Sequence, residues 1–402
     1  MRGLTHPTRP VWQAGPYVAR PSLAGDAECD VCVIGGGIGG IATAWRLCLS
    51  GLSVLVVEQR TIASGASGRN AGFLMSGAAP MYDQTRTLWG RDHAARIYRA
   101  TLAGQREIRD TAQQIGAAGL FRATGLLRLA TTAAEAQAVE SHYEALAEDG
   151  FPGELIPRGQ LPGRVRHLGI LGLLTPNDGT VQPASWVRAL ASAAKEQGVT
   201  IAERTRVTAA PAVTGVGVTV KTDHGQVRAA HGVIAVDGDL QALVPSARHV
   251  RCRRLNMLAT APVPENVLPV PIYARYGHEW AQQLPDGRIA AGGFSDVDGE
   301  SSWTRRASLS MPVQKLLDEY LRDQLRITVR VTHRWAGLVG YANSPLPTCG
   351  PVDGTNGRII AMGGYSGTGH IQAWIAAKIA SQLITSGASP DLDLYHSPAT
   401  AG

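Results

Sequence analysis

The stretch DVCVIGGGIGGIATAWRLCLSGLSVLVVE, residues 30–58, decides the fold of this 402-residue chain. Short apolar runs at 30–34 and 53–58 predict two strands, and residues 41–50 between them predict a helix. The glycine-rich segment 35–40 predicts the tight turn that joins the first strand to the helix. Two strands joined by a helix form a β-α-β unit, which predicts a parallel sheet and an α/β (α+β) fold class.

Three glycines in this stretch, Gly35, Gly37 and Gly40, form a GxGxxG motif between a strand and a helix. The first glycine permits the turn, the second lets the backbone approach a pyrophosphate, and the third allows close helix-strand packing. The helix N-terminus stabilises the phosphates. The carboxylate of Glu58, at the end of the second strand, is placed to accept hydrogen bonds from ribose hydroxyls. These features predict a Rossmann-type dinucleotide-binding domain.

Two further glycine-rich loops favour FAD over NAD as the dinucleotide. One loop, residues 64–73, follows the β-α-β unit directly, and the other, residues 363–369, precedes a predicted helix at 370–386. Such loops supply backbone N–H groups to phosphates and other acceptors. NAD requires only the first glycine turn, whereas a longer cofactor uses donors at both of its ends.

Over residues 28–386 the chain resembles the FAD-dependent amine and D-amino-acid oxidase superfamily, which includes glycine oxidase, sarcosine oxidase and the gamma-glutamylputrescine oxidoreductases. The resemblance is strongest to the last of these. It is carried by CDVCVIGGG at 29–37, GASGRNAG at 65–72, Asp178-Gly179 with Gln182-Pro183, and GYSG at 364–367.

The resemblance implies which residues bind FAD: the Glu58 equivalent binds adenosine, and a valine like Val207 gives adenine backbone contacts. The loops at 67–72 and 364–369 contact the pyrophosphate and the flavin. With the glycine motif, the expected cofactor-binding residues are Gly35, Gly37, Ile38, Gly39, Gly40, Glu58, Gln59, Ser67, Gly68, Arg69, Asn70, Ala71, Gly72, Val207, Gly364, Tyr365, Ser366, Gly367, Thr368 and Gly369.

Three departures from the family pattern bear on mechanism. Sarcosine oxidases attach their flavin to a cysteine near the position of 337–339, where this chain has none, so we expect non-covalent FAD, with attachment to Cys349 as the alternative. The strand around 288–293 lacks the lysine that promotes oxygen reactivity in several relatives. Thr368 replaces a histidine that is frequent in the third loop, and His370 follows it.

The domain organisation is predicted to be discontinuous. Segments 28–78, 172–239 and 334–388 are expected to form the FAD-binding domain. Segments 79–171 and 240–333 are expected to form a second, substrate-binding domain built on an antiparallel sheet. Prolines at 7, 10, 16 and 21 predict that residues 1–27 are a weakly ordered N-terminal extension.

Aromatic and polar residues in the second half of the chain are the candidates for the substrate pocket. They are Tyr273, Arg275, His278, Trp280, His333, Trp335 and Tyr341. Residues 273–280 are expected on one strand, where side chains alternate, so that Tyr273 and Arg275 would face one side and His278 and Trp280 the other. An arginine in this set could bind a substrate carboxylate. Packing or ion pairing is the structural alternative for each of them.

Composition narrows the class of protein. The net charge is +6, and the densest basic run, RHVRCRR at 248–254, favours the start of a strand over a nucleic-acid-binding patch. Five scattered cysteines form no disulfide framework, and no histidine or cysteine spacing indicates a metal site. With no membrane-spanning run and no signal peptide, we expect a cytoplasmic protein.

The predicted function is FAD-dependent oxidation of a C–N bond in a small amine or amino acid to an imine, with O2 reduced to H2O2. The catalytic residues are unassigned, because the flavin carries the chemistry. The main alternative is a dehydrogenase that passes electrons to a non-oxygen acceptor. A flavoenzyme acting on a tRNA or a natural-product amine, or a non-catalytic FAD-binding protein, are the others.

Overall fold

The predicted β-α-β unit is present, and the strands of the chain form two large sheets. The computed structural model describes residues 6–215 and 217–395. The α-helices in these residues are α1 (Ile38–Leu49), α2 (Tyr82–Trp89), α3 (Arg91–Gln114), α4 (Ala133–Glu148), α5 (Pro183–Glu196), α6 (Ser295–Asp298), α7 (Met311–Glu319) and α8 (Gly369–Ser386). None of the described helices is both long and apolar enough to cross a bilayer.

Most strands are short. In chain order they are β1 (Ala27–Ile34), β2 (Val54–Val57), β3 (Phe73–Leu74), β4 (Phe121–Arg122), β5 (Leu126–Ala130), β6 (Glu154–Pro157), β7 (Leu171–Thr175), β8 (Gly179–Val181), β9 (Thr200–Ala202), β10 (Ala212–Thr214), β11 (Gly217–Thr222), β12 (Gly225–Ile234), β13 (Val250–Thr260), β14 (Ile272–Ala274), β15 (Glu279–Gln283), β16 (Ile289–Gly293), β17 (Val331–Ala342), β18 (Thr348–Pro351) and β19 (Ile359–Gly363). The longest are β12, β13 and β17.

The first sheet has the parallel centre that the sequence predicts. Its main path runs β10-β11-β12-β1-β2-β9, and β19 pairs with the C-terminal part of β12 and with β18. Strands β2 and β19 are buried along their whole length, because helices cover one face of the sheet and a second hydrophobic cluster that includes Leu240 and Val244 covers the other. Helix α1 lies between α5 and α8 in this layer.

The second sheet runs β17-β13-β16-β15-β14-β5-β7-β6. It is antiparallel except that β14 and β5 pair in parallel, so the expected antiparallel sheet is mixed at this point. Strands β7 and β17 belong to this sheet, although the expected boundaries at 172 and 334 assign most of both strands to the first domain. The long pairing of β17 with β13 makes the wall that faces the first sheet's loops.

Helix α1 begins at Ile38, three residues before the predicted start at residue 41. Gly37 is extended and directly precedes the helix, so the last glycine of the motif, Gly40, lies inside the first helical turn. A Cβ on Gly40 would collide with the carbonyl oxygen of Gly35. Gly40 therefore has the packing role that the motif assigns to its third glycine.

Left-handed residues and one glycine set the bounds of several other elements. Helices α2 and α3 are separate because Gly90 has a φ of +80° and ends α2. Strand β9 is short, and Arg204 just after it has a left-handed φ of +53°. Strand β12 is continuous, since Gly232 pairs with Cys32 in the ladder.

The N-terminal extension packs on the rest of the molecule at Trp12 and Gln13, although its prolines predict weak order. Trp12 is only 4% exposed and lies in the main hydrophobic core. Its indole N–H donates to the Asn70 carbonyl at 2.8 Å, and the Gln13 side-chain amide donates to the Ala63 and Gly68 carbonyls at 3.0 Å each. Proline-broken backbone is irregular here, but its side chains bind the second glycine-rich loop.

We predict that Trp12→Ala lowers the free energy of unfolding by about 3 kcal/mol, because it removes a buried indole and leaves a cavity. The measurement is urea unfolding of the apoprotein followed by far-ultraviolet circular dichroism. Val18→Ala is the matched control in the same segment, since Val18 is 90% exposed and should change stability by less than about 0.5 kcal/mol. Equal stability of both variants would contradict the packing of this segment.

Candidate active site

A cavity of about 460 Å³ lies between the loops of the first sheet and the face of the second. All three glycine-rich loops contribute to its wall, together with residues from β13, β14, β15 and β17. The cavity therefore extends from the end of β2, where Glu58 lies, to the aromatic face of the second sheet. Its size is within the range of small-molecule and cofactor sites.

Glu58 shapes the first loop by accepting hydrogen bonds from its backbone. One carboxylate oxygen accepts from the N–H of Gly36 at 2.7 Å and the other from the N–H of Arg60 at 2.8 Å. Burial raises the pKa of Glu58, and these two N–H groups oppose that change. Each oxygen retains a further lone pair, so Glu58 can still accept from a ribose hydroxyl in the cavity that it lines.

The second loop is fixed from three directions. The Ser67 hydroxyl accepts from the N–H of Ile38 at 2.9 Å, which joins the loop to the start of α1. The Arg69 guanidinium donates to the carbonyls of Ser64 at 2.8 Å and Ala336 at 3.0 Å. Trp335 completes the connection, because its indole N–H donates to the Arg69 carbonyl at 2.9 Å.

Asp237 organises the third loop, and sequence reasoning missed it. Its carboxylate accepts from the N–H of Gly340 on β17 at 2.8 Å and of Gly364 at 3.0 Å. Burial raises the pKa of Asp237, whereas the backbone N–H donors oppose that rise. Asp237 also has a left-handed φ of +49°, which is rare outside glycine. An acidic residue directly after an apolar strand was the available signal.

Most of the expected cofactor residues line the cavity. Those that do are Gly35, Gly37, Ile38, Gly39, Glu58, Gln59, Ser67, Arg69, Asn70, Ala71, Tyr365, Ser366, Gly367, Thr368 and Gly369. Gly40, Gly68, Gly72, Val207 and Gly364 do not line it. Gly68 packs against the Ala63 carbonyl, Gly364 donates to Asp237, and Val207 forms a β-bridge with Thr222, so these have structural positions beside the cavity.

On the substrate side, the structure brings together Tyr273, Trp280 and Tyr341 from the predicted pocket set. Tyr273 and Trp280 are directly opposite each other on β14 and β15, and therefore face the same side. The expectation of one strand through 273–280 is wrong, because Arg275, Tyr276 and Gly277 have φ values of +47°, +53° and +92° and reverse the chain. A hairpin replaces the strand, so the predicted alternation fails.

The other four predicted pocket residues do not line the cavity. Arg275 forms ion pairs with Glu279 at 2.9 Å and Asp296 at 2.6 Å. His278 lies 3.7 Å from Asp296, and His333 bonds the neighbouring Thr332 hydroxyl. Trp335 is fully buried behind the second loop. The contacts of these four residues are with the protein itself, as the alternative of packing or ion pairing predicts.

Arg128 on β5 is an unpredicted residue at the substrate end. Its guanidinium lies 5.1 Å from the centre of the Tyr273 ring and lines a small cavity that shares Met75 and Ala78 with the main one. Among residues 6–215 and 217–395, no carboxylate lies within 4.0 Å of it and it donates no side-chain hydrogen bond. Burial lowers its pKa, but an arginine remains charged.

The residues present fit a bound flavin nucleotide. Within the described chain, several buried polar atoms on the cavity wall lack a protein partner, namely the Tyr365 hydroxyl, the Trp280 indole N–H, the Ser64 hydroxyl and Nδ1 of His370. Unpartnered buried donors are costly unless a ligand or water satisfies them. A ligand with acceptors at both ends of the cavity would satisfy both them and the glycine loops.

Comparison with known proteins agrees with this geometry. The family model described as FAD dependent oxidoreductase (DAO) matches residues 30–383. This chain belongs to the DAO family of FAD-dependent oxidoreductases. The predicted family and cofactor class are thereby confirmed.

Two known proteins are similar to this chain over most of their length. A probable oxidoreductase, OrdL, of Rhizobium meliloti is 28% identical over 97% of this chain and 89% of that protein. The gamma-glutamylputrescine oxidoreductase of Escherichia coli is 28% identical over 92% and 87%. Glycine oxidase from Geobacillus kaustophilus has the same fold, with a TM-score of 0.75, 20% identity and coverage of 89% of this chain and 95% of that one.

Cysteine positions bear on flavin attachment in this DAO-family chain. Cys349, the expected alternative attachment point, is buried with its thiol directed at the Ala376 carbonyl and does not line the cavity. Cys252 does line it, and burial raises the pKa of its thiol to about 12, which disfavours the reactive thiolate. All five cysteines are free thiols.

We predict that Glu58→Ala weakens FAD binding roughly tenfold to a hundredfold, since it removes a charged acceptor from Gly36, Arg60 and the ribose. The measurement is the dissociation constant of FAD for the apoprotein, from flavin fluorescence quenching. Glu28→Ala serves as the control, because the Glu28 carboxylate pairs with Arg228 on the surface. An unchanged dissociation constant for the Glu58 variant would exclude its assigned role.

Proposed function

We propose that this protein oxidises the C–N bond of a small amine that carries a carboxylate, with non-covalently bound FAD as oxidant and O2 as the final acceptor. The observation that carries the proposal is the unpaired Arg128 beside Tyr273 at the aromatic end of the cavity. The names of two relatives support an amine or amino acid as substrate: gamma-glutamylputrescine oxidoreductase and glycine oxidase.

The aromatic end of the cavity favours the neutral amine, which is the form that can be oxidised. Tyr273, Trp280 and Tyr341 line this end together with Met257 and Leu255. A low-dielectric, largely apolar wall disfavours an ammonium ion relative to the amine. The residues therefore lower the substrate's pKa without a dedicated base, and they orient its reacting carbon.

Arg128 is the group best placed to bind the substrate's carboxylate. The nearby Asp178 is already engaged, since its oxygens accept from Ser76, Gln105 and Thr175. The small cavity beside Arg128 has a volume of about 20 Å³, enough for about one water molecule. A substrate carboxylate that reached this small cavity would form charge-assisted hydrogen bonds with the Arg128 guanidinium, which already lies over the Tyr273 ring.

Bound FAD would supply the two-electron chemistry: the amine gives up a hydride from carbon and a proton from nitrogen to become an imine, and O2 takes up both electrons as H2O2. The residues of the chain bind, orient and exclude water. Backbone N–H groups and one carboxylate would hold the cofactor, and they come from Gly35–Gly37, Glu58, Ser67 and the third loop.

Free thiols in the described chain are compatible with the expected cytoplasmic location.

The first test is anaerobic titration of the purified holoprotein with amines, N-methyl amino acids and D-amino acids. We expect a carboxylate-bearing amine to bleach the flavin absorbance, and admission of air to restore it rapidly with one H2O2 per turnover. Slow restoration without H2O2 would instead establish a dehydrogenase. Failure of every amine to bleach the flavin would refute amine oxidation.

The second test compares each bleaching amino acid with the amine that lacks its carboxylate. We predict that Arg128→Met raises the KM for the amino acid about a hundredfold, because charge-assisted hydrogen bonds are lost, and leaves the KM for the amine unchanged. Arg96→Met is the control, since Arg96 pairs with Asp393 on the surface. Equal effects on both substrates would remove the carboxylate from the proposal and leave amine oxidation standing.

A further inference from the structure

His370, the second residue of α8, has an imidazole ring whose two nitrogens differ in their surroundings. Its Nε2 lies 3.1 Å from Nδ2 of Asn70, whereas its Nδ1 is buried and has no partner among residues 6–215 and 217–395. The ring is only 6% exposed and lines the main cavity. The nitrogen that carries the proton therefore determines whether His370 offers a hydrogen-bond donor or an acceptor to a ligand in the cavity.

The hydrogen bonds of Asn70 fix the orientation of its amide. Its Oδ1 accepts from the N–H of Gly72 at 2.7 Å, and its Nδ2 donates to the carbonyls of Ala66 at 3.0 Å and Ser67 at 3.2 Å. A flipped amide would place an oxygen against two carbonyl oxygens, which is repulsive. Nδ2 is therefore the atom that faces His370, and it can only donate.

The tautomer of His370 follows from this orientation. The two N–H groups of Asn70 Nδ2 face the Ala66 and Ser67 carbonyls and Nε2 of His370. An N–H on Nε2 would oppose these donors, so in the neutral ring the proton resides on Nδ1. Burial lowers the pKa of His370 to about 4, which keeps the ring neutral near pH 7. The result is a buried Nδ1–H donor without an acceptor in the protein, which a native structure normally supplies from a ligand or water.

The position of the ring indicates which part of a bound dinucleotide it meets. The loop before α8 contacts the substrate end of the cavity, where the N–H of Ser366 donates to the Gly340 carbonyl at 2.9 Å and Tyr365 pairs with Tyr341. Glu58, the expected ribose acceptor, directly follows β2 and bonds the first glycine loop through the N–H of Gly36. His370 thus belongs to the flavin end and not to the adenosine end.

We propose that His370 is a flavin-binding residue that donates a hydrogen bond from Nδ1 to an acceptor atom of the isoalloxazine ring. The inference rests on the FAD binding that the proposed function requires and is independent of the substrate. A donor at this position stabilises the more electron-rich, reduced ring in preference to the oxidised ring, so it raises the reduction potential of the bound flavin.

The test uses side chains that replace one imidazole nitrogen at a time. In His370→Asn the amide nitrogen can stand where Nδ1 stood and keep the donor in the cavity. In His370→Gln the amide oxygen can stand where Nε2 stood and keep the acceptor for Asn70, but the donor is lost. His370→Phe removes both groups, and His249→Phe is the control, because His249 is exposed and bonds Thr348.

The measurements are the reduction midpoint potential of the holoprotein against a reference dye and the dissociation constant of FAD. We expect His370→Phe and His370→Gln to shift the potential to more negative values and to weaken FAD binding about tenfold, the effect of one lost hydrogen bond. His370→Asn should keep a potential close to that of the wild type, as should His249→Phe.

Unchanged potential and FAD affinity in both His370→Phe and His370→Gln would overturn the inference. So would a loss that His370→Asn shares equally, since that pattern indicates a purely structural role through Asn70. If His370→Phe fails to fold, the comparison of the Gln and Asn variants decides between these results. A wild-type protein that binds no FAD would instead refute the proposed function itself.

Discussion

The buried carboxylate of Asp237 is the interaction on which the arrangement of the cavity depends. It follows β12 of the first sheet and accepts backbone N–H groups from β17 of the second sheet and from the loop before α8. Three chain segments that are distant in sequence are therefore held by one side chain. Because Cβ atoms at Gly340 or Gly363 would collide with Asp237, small residues are required on both partners. Asp237 thereby holds this end of the cavity together with the Ser366–Gly340 hydrogen bond and the Tyr341–Tyr365 bridge.

More of the expected cofactor residues than of the expected pocket residues line the cavity, and the reason is physical. Gly35, Gly37 and Glu58 lie within one β-α-β unit, so their relative positions follow from local backbone geometry and can be predicted from their spacing. Arg128 and Tyr273 are far apart in the chain and meet only because β5 and β14 pair in parallel. No periodicity in either segment contains that pairing. Arg275 was misassigned for the related reason that a turn with left-handed residues looked like a continuous strand.

The two ends of the cavity differ in the kind of chemistry they favour. At the glycine loops, polar recognition relies on main-chain N–H groups and on carboxylates that are already partly satisfied, which suits a cofactor held in one orientation. At the second sheet, the Arg128 guanidinium lies over the Tyr273 ring and lines the small cavity next to the main one, which is the environment that the proposed carboxylate-bearing substrate would use. His370 lies where these environments meet, since its ring bonds the second glycine loop and lines the same cavity as Tyr341.

The docking of the N-terminal segment has a thermodynamic consequence for the cofactor. Trp12 and Gln13 bind carbonyl groups of the same loop that forms one wall of the dinucleotide site. Detachment of this segment and release of the cofactor are then linked equilibria, and each bound state stabilises the other by the same free energy. A residue far outside the β-α-β unit can thereby change the affinity for the cofactor without touching it.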